Sequence, residues 1–308
     1  MAEMCVFASS CGLIERTEAR KFGISRKQTI IAANMKKTTL LLAALALLSL
    51  LPSAALAQWQ GKRCAFLGDS MTDPNNRAAT YHYYDYLRDS LGIEPRVYAR
   101  SGHQWHQILE KAKLMQQTDS TTIDVIFIWA GTNDYNHSIP MGRFYAECDT
   151  VCNRNGRIVP ARHREWLMND STFCGRINMC LSWLKHEYPT TQVIVMTPIH
   201  RALADFSDLS RNKYNVQPDE DYSNERGLYV EEYINALRQA CQYWAVPCID
   251  LFQDSGLYPM EPRHGVYFAE PEHKEGTARY DRLHPNNAGH IRLGRTIAAH
   301  LRAISPTL

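Results

Sequence analysis

Four short polar motifs could together supply the groups that hydrolyse an ester. They lie far apart in the chain, at residues 68–70 (GDS), 101–102 (SG), 131–134 (GTND) and 281–284 (DRLH). A serine hydroxyl is a weak nucleophile until a neighbouring base takes its proton, and His284 could be that base for Ser70. Asp281 precedes His284 by three residues. A turn at that spacing could bring its carboxylate to the imidazole and hold the required tautomer.

The same motifs contain donors for the negative charge that develops on the attacked carbonyl oxygen. The backbone N–H groups of Ser70 and Gly102 and the side-chain amide of Asn133 could form this oxyanion hole. Glycine at position 102 would let the backbone approach the reacting oxygen closely. Each motif alone is as often an ordinary turn or helix cap, so the prediction of a serine hydrolase depends on their joint occurrence.

The segments between the motifs predict an α/β domain whose strands end where the motifs begin. Apolar runs rich in β-branched and aromatic residues indicate strands at 64–67, 96–99, 123–130, 192–197 and 247–251. Continuous apolar runs are typical of strands buried on both faces of a parallel sheet. Amphipathic patterns predict helices at 80–90, 103–117, 172–188 and 225–244, with a last helix opening at 284–285. Ligands bind such sheets at the carboxyl ends of the strands.

The four motifs, in this order, resemble those of the SGNH hydrolases, also called the GDSL esterase/lipase family. The resemblance covers about residues 62–303, and Met71 stands where the family often has leucine. It implies a flavodoxin-like three-layer α/β/α sandwich with a central parallel sheet of about five strands, and no metal or other cofactor. The site residues that it implies are the triad Ser70, Asp281 and His284 and the oxyanion donors Ser70, Gly102 and Asn133.

Two long polar segments, 135–170 and 201–224, lie outside the shared pattern. Both follow predicted strands, so they could form substrate walls or lids, although surface loops without a function are an equal alternative. Candidate substrate-binding residues in or beside the motifs and segments are Asp69, Trp105, Asp134, Tyr135, Arg143, His200 and Arg201. For Trp105, packing in the core explains the sequence equally well.

The N-terminal region has the layout of a secretory signal peptide. A basic start at 35–37 precedes an apolar run at 40–51, and an A-x-A cleavage pattern follows at 55–57. The run is shorter than the ~20 residues that a membrane-spanning helix needs, so an uncleaved anchor is less favoured. We therefore expect residues 1–34 to be an artefact of the gene model, 35–57 to be the signal, and 58–308 to be an exported hydrolase domain in the periplasm or outside the cell.

The net charge limits which partners the protein could bind, and the cysteine content limits which disulfides it could form. The 308 residues carry a net charge of +2, and 45% of them are hydrophobic. Without the seven basic and three acidic residues of 1–57, the remaining 27 basic and 29 acidic residues give −2. The domain has no basic field for nucleic acid. Export permits disulfides. The candidates are Cys148, Cys152, Cys174 and Cys180, whereas Cys64 lies in an apolar strand and is predicted to be a buried free thiol. The sequence does not indicate the oligomeric state of the protein.

These observations predict an exported serine esterase that removes acetyl or other short acyl groups, on a small-molecule or polysaccharide ester. The carbohydrate part depends on export, on the polar, aromatic-bearing segments and on the substrates common among exported relatives. The alternatives are a lipase, lysophospholipase or thioesterase using the same triad, or a carbohydrate-binding protein without catalysis. The sequence lacks the G-x-S-x-G motif of the usual α/β hydrolases.

Overall fold

A computed structural model describes residues 57–119, 122–269 and 280–307. The segments predicted as an extension (1–34) and as a signal peptide (35–57) lie outside the described residues, apart from Ala57. Within the described part, no helix is both long and apolar enough to span a bilayer.

The secondary structure of the described residues alternates between strands and helices. In chain order, strands β1 to β10 are Arg63–Gly68, Glu94–Ala99, Val125–Trp129, Tyr145–Arg154, Arg157–Trp166, Gln192–Met196, Ala204–Asp205, Val216–Gln217, Cys248–Ile249 and Tyr280–Asp281. Helices α1 to α7 are Tyr83–Leu91, Trp105–Thr118, Thr132–Asn136, Phe173–Glu187, Val230–Tyr243, Leu251–Asp254 and Asn287–His300. Short 3-10 turns cover Leu209–Arg211 and Pro262–Tyr267.

Five parallel strands form the central sheet, in the order β2-β1-β3-β6-β9. Every residue of β3 and β6 is buried, which explains why these two strands read as continuous apolar runs. The predicted parallel α/β fold is confirmed, with each central strand overlapping its predicted run. The fifth strand is shorter than predicted because Asp250 caps α6 with its side chain, accepting the N–H of Gln253.

Helices cover both faces of this sheet and make the predicted three layers. On one face, α2, α4 and α5 bury side chains such as Ile108, Ile177 and Leu237 against the sheet. On the other face, α1 and α7 bury Leu87 and Leu293. Strand β3 serves both layers because alternate side chains of a strand point to opposite faces. Its residues Ile126 and Ile128 belong to the first cluster, and Val125, Phe127 and Trp129 to the second.

The last helix begins at Asn287, later than predicted. The side chain of Asn286 accepts the N–H groups of Ala288 and Gly289 and thereby caps α7. The segment 284–286 is therefore a connection that precedes the helix, and His284 lies in it. This placement leaves the imidazole outside the helix and free to approach the sheet edge.

The two polar segments contain structure that the sequence reading did not predict. Segment 135–170 includes the antiparallel hairpin β4–β5, whose turn residues Asn155 and Gly156 have φ of +53° and +80°. Asn-Gly is the preferred pair for this two-residue turn, because both positions need a positive φ. Segment 201–224 contributes β7 and β8 to a small sheet of order β10-β7-β8. Strand β10, which carries Asp281, is thus held by the second segment.

All seven described cysteines are free thiols, contrary to the predicted disulfides. Cys148 and Cys152 are four residues apart on one strand, a separation of about 13 Å. Cys174 and Cys180 are six residues apart in one helix, about 9 Å along its axis. A disulfide needs Cα atoms within about 7 Å, so neither element allows a bond between its own two cysteines. Cys64 is buried, as predicted.

Candidate active site

The turn after β1 presents Ser70 at the carboxyl edge of the sheet. Asp69 stabilises this turn, because its Oδ1 accepts the N–H of Met71 at 3.0 Å and its carbonyl oxygen accepts the N–H groups of Thr72 and Asp73. Residue 68 must be glycine here, since a Cβ atom at that position would overlap the side chain of Thr72. The GDS motif is therefore set by the geometry of this turn as well as by its chemistry.

Ser70, His284 and Asp281 form a continuous hydrogen-bonded chain. The Oγ of Ser70 lies 2.9 Å from Nε2 of His284, although 214 residues separate the two in the sequence. Nδ1 of His284 lies 2.9 Å from Oδ2 of Asp281. Both distances are those of good hydrogen bonds. The arrangement allows the imidazole to accept the serine proton while the carboxylate holds the ring.

The position of Asp281 relative to His284 is decided by a local turn. Oδ1 of Asp281 accepts the backbone N–H groups of Leu283 at 3.0 Å and of His284 at 2.9 Å. These bonds close the three-residue spacing and leave Oδ2 for the imidazole. Strand pairing of Asp281 with Ala204 anchors the turn. The carboxylate is 6% exposed, so water competes little for it.

The segment after β2 brings Gly102 to the site in a conformation that favours glycine. Its φ is +86°, and nothing lies within 4 Å of where its Cβ would be. The preceding residue, Ser101, donates its N–H and its hydroxyl to Oδ2 of Asp73 at 2.7 and 2.8 Å. Burial alone would raise the pKa of Asp73, but hydrogen bonds from Asn75 and Ser101 outweigh it and hold the pKa below its usual range. The ionised Asp73 thus fixes the loop that carries Gly102.

The amide of Asn133, at the start of α3, is oriented by two acceptors. Its Nδ2 donates to the carbonyl oxygen of His103 at 3.0 Å and lies 3.4 Å from Oδ2 of Asp69. The second contact is long, so one N–H can turn to an oxygen in the site at small cost. Asn133 is 8% exposed and lines the same cavity as Ser70 and Gly102. The three predicted oxyanion donors therefore converge on one cavity.

Asp69 has an unusual charge state for its position behind the nucleophile. Burial raises the pKa of its carboxyl to about 7, although the hydrogen bond from the Met71 N–H and the nearby His284 both lower this pKa. Asp134, a second buried carboxylate, adds to the rise. Asp69 therefore changes its charge near neutral pH, in contact with the amide of Asn133.

A cavity of about 1090 Å³ opens above Ser70. Six of its lining side chains carry amides, and two are phenylalanines. The amides belong to Asn75, Asn76, Asn133, Asn215, Gln217 and Asn286, and the rings to Phe206 and Phe268. Among the described lining residues, Asp281 is the only carboxylate, and it is engaged by His284. The cavity thus offers many hydrogen-bonding groups and little fixed negative charge.

Most of the predicted substrate-binding residues lie elsewhere. Trp105 is fully buried in the core, and its backbone N–H is accepted by Asp134. Asp134 is fully buried and forms an ion pair with Arg176 at 2.9 Å, although burial still raises its pKa to about 6. Tyr135 is 3% exposed and donates its hydroxyl to the carbonyl oxygen of Tyr222. These side chains build the wall behind the site and do not reach the cavity.

The remaining candidates also lie outside the cavity. Arg143 is exposed and lines a separate cleft beside the β4–β5 hairpin. His200 stacks on Phe252, and its Nδ1 lies within hydrogen-bond distance of Oε1 of Glu220, at 2.6 Å. Arg201 is 1% exposed and bonds to Asn136 and to the carbonyl oxygen of Pro218. His200 and Arg201 were suggested because they follow the fourth predicted strand, and tertiary packing directs their side chains away from the cavity above Ser70.

The cavity is instead lined by residues that the sequence reading did not single out. They come from the turn after Ser70 (Asn75, Asn76, Arg77), from α3 and its end (His137), from the second polar segment (Phe206, Asn215, Gln217) and from the region before α7 (Phe268, Asn286). Proximity to Ser70 in sequence was the one signal that could have found Asn75, Asn76 and Arg77. The others required the fold.

One group of side chains among the described residues has donors close enough together to bind a metal ion. The ligand atoms of Cys148, His163 and Glu165 lie within 4.8 Å of one another on the β4–β5 hairpin. None of the three lines the cavity above Ser70.

Comparisons with known proteins identify the family and support the fold. A model of the GDSL-like lipase/acylhydrolase family matches residues 66–292. No curated protein matches the chain. A Lactobacillus plantarum protein of known structure is 26% identical, with a TM-score of 0.57, and the match covers 79% of this chain and 98% of that one. A structure described as a possible lipase from Chitinophaga pinensis is 18% identical, with a TM-score of 0.55 over 78% of this chain and 98% of that one; this likeness concerns the fold.

Proposed function

Since the chain belongs to the GDSL-like lipase/acylhydrolase family, we propose that it is an exported serine esterase that removes short acyl groups, above all acetyl, from carbohydrate. The observation that carries the proposal is the hydrogen-bonded chain from Ser70 Oγ through His284 to Asp281. A serine so placed has a base within reach and a carboxylate that orients the base. The steps of ester hydrolysis given below follow from the positions of Ser70, His284 and Asp281.

In the first half of the reaction, Ser70 becomes acylated. Its Oγ attacks the ester carbonyl carbon while Nε2 of His284 takes the hydroxyl proton. The resulting oxyanion is stabilised by the N–H groups of Ser70 and Gly102 and by the Asn133 amide. The bond to the leaving oxygen then breaks, and His284 gives its proton to that oxygen, which leaves as a sugar hydroxyl.

In the second half, water releases the acyl group. His284 takes a proton from water as the water oxygen attacks the acyl carbon of the Ser70 ester. The same donors stabilise the second oxyanion. When the bond to Ser70 Oγ breaks, His284 returns the proton to the serine, and a carboxylic acid leaves. Asp281 stabilises the imidazolium in both halves and needs no proton transfer of its own.

The lining of the cavity supports a sugar-bearing substrate. Sugar hydroxyls are both donors and acceptors, and a side-chain amide that is not bonded elsewhere can serve them in both senses. Of the six amides that line the cavity, Asn76 and Asn286 are bonded to backbone groups and Asn133 is assigned to the oxyanion, which leaves Asn75, Asn215 and Gln217 as candidate partners for a sugar. Phe206 and Phe268 offer apolar surface for an acetyl methyl group or a sugar ring.

Hydrolysis of 4-nitrophenyl esters tests the nucleophile and the acyl length together. We expect wild-type protein to hydrolyse the acetate and the rate to fall as the acyl chain grows from two to twelve carbons. Ser70→Ala should lose the activity, and Ser90→Ala, on the exposed face of α1, should keep it. Equal rates for Ser70→Ala and wild type would overturn the triad assignment. A preference for the long chains would favour a lipase.

Release of acetate from acetylated polysaccharides tests the carbohydrate part separately. Wild-type protein should liberate acetate from at least one acetylated plant or bacterial polysaccharide, and Ser70→Ala should not. Activity on the aryl acetate without acetate release from any of these polymers would leave a general esterase and remove the carbohydrate assignment.

A further inference from the structure

The segment 74–78 separates the cavity above Ser70 from two adjoining clefts. Arg77 lines the cavity and both clefts, which have volumes of about 620 and 480 Å³. Asn75 and Asn76 are shared with the first cleft, and Ala78 and Asn286 with the second. Three neighbouring depressions therefore adjoin at Arg77, and the two clefts offer space for sugars beside the one that bears the ester.

The backbone around Arg77 is tied directly to the nucleophile. Nδ2 of Asn76 donates to the carbonyl oxygen of Ser70 at 3.0 Å, and Oδ1 of Asn76 accepts the N–H of Ala78 at 2.9 Å. The N–H of Asn75 is accepted by Asp73, the same carboxylate that anchors Ser101. Arg77 thus projects from a loop whose position is fixed relative to the reacting atoms, while its own side chain is exposed.

The guanidinium of Arg77 has no hydrogen bond or ion pair to any described residue. The acidic side chains in this region, Asp85 and Asp89, form ion pairs with Arg88 in α1. In the cavity itself, Asp281 is the only carboxylate among the described lining residues and is held by His284. A positive charge at the border of the groove is thus left without a counter-charge from the described protein.

We propose that Arg77 binds the carboxylate of an acidic sugar next to the acetylated one, so that the substrate is an acetylated polysaccharide containing uronic acid. This inference rests on the proposed function. A guanidinium presents paired N–H donors that match a carboxylate, and such charge-assisted pairs are stronger than neutral hydrogen bonds. The amide of Asn75, which lines both the cavity and the first cleft, would bind a hydroxyl group of the same sugars.

A matched pair of substrates tests this assignment. One is an acetylated oligogalacturonide with free carboxylates, and the other is the same oligosaccharide with its carboxylates methyl-esterified. Acetate release is measured for both, so that cleavage of the methyl ester does not count. For wild type we expect kcat/KM to be about tenfold higher on the free acid, chiefly through KM, and the ratio to shrink with added salt.

Two substitutions at position 77 and one elsewhere separate recognition from general charge. Arg77→Gln should bring the ratio of kcat/KM on the free acid to kcat/KM on the methyl ester close to one. Arg77→Lys should keep part of the preference, because lysine retains the charge but lacks the paired N–H donors of the guanidinium. Arg157→Gln removes another exposed cation, at the tip of the β4–β5 hairpin and outside the cavity and both clefts, and should keep the wild-type ratio. Thermal midpoints establish that each variant is folded.

The possible failures are distinguishable. Equal wild-type rates on the two oligosaccharides, or an unchanged ratio in Arg77→Gln, would overturn the role of Arg77 and leave the carbohydrate esterase intact. A ratio that falls equally in Arg157→Gln would overturn it too, because the effect would be one of net charge. If wild type hydrolyses an aryl acetate but releases acetate from neither oligosaccharide nor from neutral acetylated xylan, the carbohydrate assignment itself fails, and this inference with it.

Discussion

At the scale of single residues, Asp281 serves two purposes through two different oxygens. Oδ1 holds the turn, and Oδ2 faces His284. Asp281→Asn keeps an oxygen for the turn but offers an amide to the ring, which would favour the wrong tautomer of the imidazole. We expect kcat to fall by ~10³–10⁴-fold while the thermal midpoint stays within a few degrees of wild type. Steady-state kinetics and calorimetry on the same preparation check both; unchanged kcat would contradict the role of the carboxylate.

Asp69 is the residue whose charge should be visible in the pH dependence of stability. Its pKa is raised to about 7 by burial, so ionisation costs more in the folded state than in the unfolded chain. That cost is absent below the unfolded pKa of ~3.9 and grows as pH rises to about 7, to roughly 4 kcal/mol at most. Asp69→Asn cannot ionise. Its free energy of unfolding, relative to wild type, should therefore increase between pH 4 and pH 7.

Urea unfolding of Asp69→Asn and wild type at several pH values measures this difference. A constant offset between the two proteins would show that residue 69 does not titrate in that range. Asp89→Asn serves as a control, because that carboxylate is exposed on α1 and its pKa is lowered, by hydrogen bonds from Tyr81 and Arg88. The free energy of unfolding of Asp89→Asn, relative to wild type, should therefore change with pH only below about pH 4.

At the scale of elements, α1 and α7 are joined through a buried histidine. Nδ1 of His290 accepts the N–H of Tyr83, the first residue of α1, at 3.3 Å, and the ring is 3% exposed. Burial, together with the neighbouring His82 and His284, lowers the pKa of His290 to about 3. The folded state thus favours the neutral ring. Stability from this group is present above the unfolded pKa of ~6.5 and is lost as pH falls toward 3.

Replacing His290 with asparagine should reduce this acid sensitivity, because the amide oxygen can still accept the Tyr83 N–H. The thermal midpoint of wild type should drop more steeply than that of His290→Asn between pH 6.5 and pH 4. His186→Asn, at an exposed site in α4, is the matched control and should follow wild type. Parallel curves for wild type and His290→Asn would mean that other groups cause the acid unfolding.

At the scale of the whole molecule, the domain from 58 onward holds the complete set of proposed catalytic groups. We expect export to remove the preceding residues, with cleavage after Ala57. N-terminal sequencing or intact mass of the secreted product should identify Gln58 as the first residue. A product that retains residues of 35–57 would contradict cleavage, and a cellular form that begins upstream of Met35 would contradict the predicted start.

The sequence by itself determined those features that depend on local patterns. Continuous apolar runs revealed the central strands, since a strand buried on both faces admits little else. The spacing of Asp281 and His284 is closed by one turn, so their pairing could be predicted without the fold. Asn155-Gly156 was also a local signal, for a hairpin turn, and reading segment 135–170 as merely polar overlooked it.

Only the tertiary structure decided which side chains line the cavity above Ser70. Asn133 and Asp134 are neighbours in α3, yet Asn133 lines the cavity whereas Asp134 is directed into the core, where it pairs with Arg176. Phe206, Asn215 and Phe268 reach the cavity from distant segments that no sequence spacing relates to Ser70. The meeting of Ser70 and His284 across 214 residues likewise depends on the fold, because Ser70 follows β1 of the central parallel sheet whereas His284 follows β10 of a separate small antiparallel sheet.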